Sequence, residues 1–301
     1  MVMMKPEGLG ERMGQVRRLR EMLQQGMVVA PGAYDCITAR AIELGGFGAV
    51  YMTGAGTSAT LGYPDYGLVT LSEMAENAGR LANAVGVPVI ADADTGYGTE
   101  LNVVRTVREY ERRGVAGLHI EDQVFPKKCG HLDNKEVVSI EEYVAKIRAA
   151  AAAKTDPDFL LIARTDARAV LGLDEAIRRA NAALEAGSDM AFVEAAQNVE
   201  EVSAIPKLVK GPCLLNLVWK GKTPLVPLAD AKQMGYKMTI LPGLLLRSVI
   251  ATCEAMLRTT RETGIYPAPG KDMSPADVFA MFGAREWDGY REQFKVSNAA
   301  K

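Results

Sequence analysis

Eight short apolar runs, each followed by an amphipathic helical pattern, set the strongest limit on how this chain can fold. The runs fall at 27–30, 49–53, 87–91, 116–120, 159–163, 190–193, 214–218 and 237–241. Helical patterns follow near 34–44, 71–85, 102–113, 140–153, 174–186, 199–208, 228–234 and 245–263. Continuous apolar runs, as opposed to alternating ones, belong to parallel strands buried on both faces. Eight is the number of strand–helix units that closes an α/β barrel. A doubly wound open sheet is the competing layout, but no Gly-x-Gly-x-x-Gly follows the first run. The sequence therefore predicts a (β/α)8 TIM barrel over 1–264, led by a helix that ends near Gln25. The Pro/Gly-rich stretch at 265–270 then breaks the pattern, and two more helices are expected at 275–282 and 285–299. Trp287, Tyr290 and Phe294 lie at helical spacing on the second. Residues 265–301 thus read as a helical extension that docks on its own barrel or on a neighbouring subunit.

A length of 301 residues suits one such barrel. A net charge of −2 leaves no electrostatic footprint for nucleic acid or an anionic membrane. Cys36, Cys129, Cys213 and Cys253 are widely spaced, with no CxxC pair, which argues against a disulfide framework or a zinc knuckle. With no long apolar run and no signal-like N-terminus, a cytoplasmic protein is expected.

Polar side chains fall at the C-terminal ends of the apolar runs, where barrel enzymes build their sites. They are Asp35, Tyr51, Thr53, Asp92, Asp94, Glu121, Asp122, Arg164, Asp166, Glu194, Asn216 and, after the last run, Arg247. Asp92, Asp94 and Glu121 offer hard oxygen ligands, which suit Mg2+ or Mn2+ better than zinc. Cys129 is flanked by Lys127, Lys128 and His131, so a depressed thiol pKa is expected, and Gly130 lets the backbone approach a ligand. His131 reads as a donor to a ligand, whereas His119, inside an apolar run, reads as a hydrogen-bonded core histidine. Arg164 ends a buried run and must pair with a carboxylate, either Glu194 or one on a substrate. Backbone N–H groups at Gly54 and Ala55, with the Thr53 hydroxyl, form a turn able to cradle a carboxylate.

Taken in order, these segments resemble the isocitrate lyase/phosphoenolpyruvate mutase superfamily. The resemblance rests on Tyr-Met-Thr-Gly-Ala-Gly at 51–56, Gly-Tyr-Pro-Asp at 62–65 and Ala-Asp-Ala-Asp-Thr-Gly-Tyr-Gly at 91–98. It continues through Gly-Leu-His-Ile-Glu-Asp-Gln at 117–123, Lys-Lys-Cys-Gly-His at 127–131, Ala-Arg-Thr-Asp-Ala at 163–167 and Phe-Val-Glu-Ala at 192–195. The Lys-Lys-Cys-Gly-His segment belongs to the lyase branch, since the phosphonate-forming mutases typically lack this cysteine. The resemblance implies a homotetramer whose C-terminal helix crosses between subunits. It also implies Mg2+-dependent C2–C3 cleavage of a 2-hydroxy di- or tricarboxylate into a 2-oxo acid such as pyruvate and a second carboxylate.

In that reading Cys129 protonates the departing enolate, with Tyr51 or a water on the metal as base. Thr53, Gly54 and Ala55 bind the 2-oxo acid part. Arg164, His131, Glu194 and Asn216 hold the departing carboxylate, and Asp65, Gly130 and Arg247 are further substrate contacts. Leu132 stands where the methylisocitrate lyases carry arginine, and 274–277 lacks the arginine expected to grip a third carboxylate. Both departures favour a dicarboxylate. Pro242 stands where the oxaloacetate hydrolases carry serine, and with Leu241 and Phe192 it is expected to line a pocket for methyl groups. A 2,3-dimethylmalate-like substrate is therefore preferred, with oxaloacetate hydrolysis and then phosphonate chemistry behind it.

Overall fold

The computed structural model describes residues 9–132 and 134–295. Its first elements are α1 (Leu9–Gln25), β1 (Val28–Ala33), α2 (Cys36–Leu44), β2 (Val50–Met52), α3 (Gly54–Thr60), α4 (Leu71–Ala84), β3 (Val89–Asp92) and α5 (Glu100–Arg112). Next come β4 (Gly117–Glu121), α6 (Ile140–Ala153), β5 (Leu160–Thr165), α7 (Ala167–Leu171), α8 (Leu173–Glu185), β6 (Met190–Val193) and α9 (Val199–Leu208). The series ends with β7 (Cys213–Asn216), α10 (Leu228–Met234), β8 (Met238–Leu241), α11 (Leu244–Thr263), α12 (Pro275–Ala280) and α13 (Ala284–Gln293).

The strands form a closed parallel barrel in sequence order. Val28 of β1 registers with Met238 of β8, and each strand also pairs with the next. Each run expected to be a strand becomes one. Continuous Val, Ile, Leu and Ala side chains such as Ile90, Leu118, Leu161 and Ile240 are buried inside the barrel or under its helices. Burial on both sides explains why these strands carry no alternation.

Two helices have no counterpart in the sequence reading. The segment Gly-Ala-Gly-Thr-Ser-Ala-Thr of α3 has poor intrinsic propensity. It is capped by Thr53, whose hydroxyl accepts the Gly56 N–H at 3.4 Å. The other is the short α7, directly after β5.

One compact unit of the chain runs to Ser248 and a second is formed by residues from Val249 onward, so the division falls within α11, ahead of the Pro/Gly-rich stretch. In the second unit α12 and α13 occupy the two expected helical stretches, and the Tyr290 ring stacks on Phe294 with Trp287 edge-on to it. The part of the expected last helix at 296–299 lies outside the described residues. Among the described residues no helix is long and apolar enough to cross a membrane.

Candidate active site

A cavity of about 150 Å3 opens at the C-terminal ends of the strands. It is lined by Tyr51, Thr53, Ala55, Asp65, Asp92, Cys129, Gly130, His131, Arg164, Glu194, Asn216, Val218, Pro242, Gly243, Leu246 and Arg247. A larger surface groove runs along α9, lined largely by apolar side chains such as Val199, Leu208 and Met234, with no convergent carboxylates. The chemistry lies in the smaller cavity.

Asp92 and Glu121 are the last residues of β3 and β4, so the rigid barrel fixes where their carboxylates start. Asp92 Oδ2 accepts the Gly54 N–H at 3.1 Å and Oδ1 accepts the Asp94 N–H at 3.0 Å. The second bond requires a tight reversal, and Asp94 sits at φ 45°, an uncommon conformation for a side chain other than glycine. Burial opposes ionisation of Asp92, yet His119, Lys127, Arg164 and the Asp94 N–H together bring its carboxyl down to about 2. Burial raises Asp94 to about 6, against the pull of Lys127. Burial also pushes Glu121 well above the usual carboxylate range, although Arg164 lies 3.2 Å away.

These three carboxylates can be tested against a divalent cation. Among the described residues no three His, Cys, Asp or Glu side chains converge as a closed cage. Mg2+ does not need one, because it keeps several waters and takes one or two carboxylates plus substrate oxygens. Both Glu121 oxygens and Asp94 Oδ1 are buried without a hydrogen-bond partner, although Lys127 Nζ lies 2.7 Å from Asp94 Oδ1 and Arg164 lies 3.2 Å from Glu121 Oε2 as ion pairs. Hard oxygens short of hydrogen bonds, behind a cavity-lining aspartate, fit Mg2+, with Asp92 at the cavity and Asp94 and Glu121 able to hold its waters.

The loop after β4 brings Cys129 into the same cavity as Asp92. The Cys129 backbone N–H donates to the Asp65 carbonyl at 3.2 Å. Gln123 braces the loop by accepting the Lys128 N–H at 3.0 Å and donating to the Lys128 carbonyl at 2.8 Å. The expected depression of the thiol pKa is overturned. Burial raises the Cys129 pKa, and the Asp65 carboxylate adds to the rise. Lys127, its nearest buried cation in sequence, is turned away to form ion pairs with Asp65 at 2.5 Å and Asp94 at 2.7 Å. Burial and Asp65 thus favour the neutral thiol over the thiolate.

Arg164 is anchored more firmly than the sequence suggested. Asp166 receives its Nε at 2.9 Å and its second terminal nitrogen at 3.2 Å, while Glu121 and Glu194 lie at 3.2 and 3.5 Å. The Phe192 ring supports the guanidinium from 5.1 Å. Asn216 donates to Glu194 Oε2 at 2.9 Å. His131 Nδ1 accepts the Lys222 N–H at 3.0 Å, which leaves Nε2 as the protonated nitrogen, 3.6 Å from Glu194 Oε1. Burial lowers the His131 pKa, so the ring is a neutral donor.

Several expected ligand contacts are redistributed. Phe192 is buried against Arg164 and His119, and Leu241 packs into an apolar cluster with Leu215 and Leu217. Neither lines the cavity. Val218 and Leu246, absent from the sequence reading, form the apolar wall with Pro242. The Gly54 N–H is occupied by Asp92, so the expected cradle reduces to Thr53 and Ala55. His119 is buried as expected, but it is no bystander, since its Nε2 lies 2.9 Å from the Tyr51 hydroxyl and 3.6 Å from Asp92. Burial brings His119 down to about 4 and, together with Asp92, pushes the Tyr51 phenol well above its ordinary value. No local pattern signals Val218 or Leu246, because an apolar residue after a strand ordinarily packs in the core.

The family model for phosphoenolpyruvate phosphomutase matches residues 19–261. A 2,3-dimethylmalate lyase from Eubacterium barkeri is 51% identical over 76% of this chain and 80% of its own length. A 2-methylisocitrate lyase from Aeropyrum pernix is 46% identical over 84% of this chain and 82% of its own. Among solved structures, oxaloacetate acetylhydrolase in complex with 3,3-difluorooxalacetate superposes with a TM-score of 0.90 at 39% identity, covering 93% of this chain and 97% of that one. Phosphonopyruvate hydrolase in complex with oxalate and Mg2+ superposes with a TM-score of 0.84 at 30% identity, covering 93% and 99%. With its barrel, its strand-end carboxylates and its cysteine loop, the chain belongs to the phosphoenolpyruvate mutase/isocitrate lyase superfamily and is similar to the lyases within it.

Proposed function

We propose that this protein is a Mg2+-dependent carbon–carbon lyase that cleaves a small 2-hydroxydicarboxylate of the 2,3-dimethylmalate type into pyruvate and a monocarboxylate. The observation that carries this reading is the juxtaposition in one small cavity of a protonated thiol, a carboxylate group fit for a hard cation, and an apolar wall. Asp92, backed by Asp94 and Glu121, would hold Mg2+, which when bound supplies Lewis-acid stabilisation to the C2 oxygen as its proton is lost. The Tyr51 phenol oxygen takes that proton as the phenol hands its own to neutral His119 Nε2, 2.9 Å away. Thr53 and the Ala55 N–H orient the carboxylate that stays with C2. Arg164, neutral His131, Asn216 and Arg247 orient the carboxylate that leaves with C3. As the C2–C3 bond breaks, its electron pair passes to C3 as a carboxylate-stabilised enolate, and the Cys129 thiol gives that carbon a proton.

The cavity is smaller than an ordinary drug-sized pocket, which favours a compact diacid over a tricarboxylate. Val218, Pro242 and Leu246 suit methyl groups and give no hydroxyl to a hydrated carbonyl. Oxaloacetate hydrolysis is the second reading, favoured by the likeness to oxaloacetate acetylhydrolase. Turnover of 2,3-dimethylmalate, 2-methylisocitrate and oxaloacetate, with pyruvate and oxalate as readouts, separates the readings. The dimethyl diacid should be the best substrate and release pyruvate, and a metal chelator should stop it until Mg2+ is restored. Oxalate from oxaloacetate as the dominant product, or full turnover in chelator, would overturn this assignment.

A further inference from the structure

Lys135 is a buried cation that the cleavage chemistry does not use. Its Nζ lies 2.7 Å from Asp166 Oδ1 and donates to the Gly130 carbonyl as well. Asp166 is the same carboxylate that receives the fork of Arg164. Gly130 in turn lies flat against these groups, because a Cβ built there would come within 2.7 Å of Glu194 Cγ and run into the Arg164 guanidinium. The ammonium thus joins the peptide next to Cys129 to the group that orients Arg164.

Attachment of the loop does not require this link. Arg179 already ties both ends of the loop, reaching Asp122 at 3.0 Å and the Val138 carbonyl at 2.8 Å. Gln123 braces Lys128, and Gln123 also pairs with Val137 across the neck. Burying an ammonium is costly before its partners compensate, so for stability alone an apolar side chain of similar size is commonly as good. What an apolar side chain cannot do is set one buried carbonyl against one buried carboxylate.

We propose that Lys135 is a positioning residue for cleavage, which makes the placement of the Cys129 sulfur depend on the same Asp166 carboxylate that orients Arg164. Thiol and guanidinium are then set together, one for the carbon that takes the proton and one for its carboxylate. This rests on the lyase reading of Cys129 and Arg164.

The test compares wild type with Lys135→Met and Lys135→Arg in two measurements. The first is the rate of Cys129 alkylation by iodoacetamide, resolved by peptide mass spectrometry, with exposed Cys253 as an internal reference. The second is kcat and KM on the best diacid of the substrate panel. Lys135→Met should raise Cys129 alkylation about tenfold with Cys253 unchanged, and lower kcat about a hundredfold with KM within about threefold, the size of effect a misplaced catalytic group produces. Lys135→Arg should recover most of kcat. A folded Lys135→Met protein with both quantities within about twofold of wild type overturns the proposal. Parallel changes at Cys129 and Cys253 also overturn it, because they indicate general loosening. If Lys135→Met does not fold, Lys135→Gln is judged by the same two criteria. Absence of wild-type turnover across the panel sinks the lyase reading, while the alkylation comparison still decides whether Lys135 places the thiol.

Discussion

The Cys129 thiol favours its protonated form because of where its neighbours point, as the proposed acid role requires. Lys127 and Lys128 precede it in sequence, and adjacency alone suggests an activated thiolate. In space, Asp65 captures Lys127 from 62 positions away and the thiol is left in a buried setting beside a carboxylate. The folded thiol pKa is raised, so the protonated form is favoured below it and the proton is lost only as pH climbs through it. Alkylation of Cys129 should therefore rise with an inflection above that of a free thiol, about 8.5, and an inflection below neutral pH would contradict a buried acid. Gly130→Ala should lower activity at least tenfold, since a Cβ would press on Arg164 and Glu194; activity equal to wild type would mean that the loop does not close against them.

The carboxylates Asp92, Asp94 and Glu121 were readable from sequence because strand ends are fixed points of a barrel. Lys135 was not, since a lysine in a polar loop is ordinarily solvated and nothing in its spacing reveals Asp166. The apolar lining of the cavity beyond Pro242 was less legible for a related reason. Phe192 and Leu241 sit at strand ends, but their side chains turn into the packing, and Val218 and Leu246 reach the cavity from the segments beyond.

The strands were legible because burial on both faces demands unbroken apolar runs, and that demand is written in consecutive residues. Helices α3 and α7 were hidden because each is short and their stability comes from capping and surroundings, not from propensity. Caps elsewhere follow simple rules. Asn198 accepts the Glu201 N–H at 2.8 Å at the start of α9. Asn198→Ala should cost about 1 kcal/mol of stability in chemical denaturation and leave kcat unchanged. A large loss of activity there would mean that α9 takes part in the site.

The barrel was expected from its eight units, and its C-terminal extension from a break in their pattern. The extension exposes Val278, Phe279, Trp287 and Phe294, apolar side chains of the kind that a protein partner covers. We propose that it packs on a partner subunit within a homotetramer. Sedimentation should give a tetramer at micromolar concentration, and Phe279→Ala with Trp287→Ala should shift it toward smaller species; a stable wild-type monomer would rule the tetramer out.

In the proposed reaction a proton passes from the thiol to the carbon released by cleavage. The most direct measurement is pyruvate release from 2,3-dimethylmalate with Mg2+, comparing wild type with Cys129→Ser. The variant should be slower by roughly two to four decades while still binding Mg2+. Equal rates would remove Cys129 from the reaction.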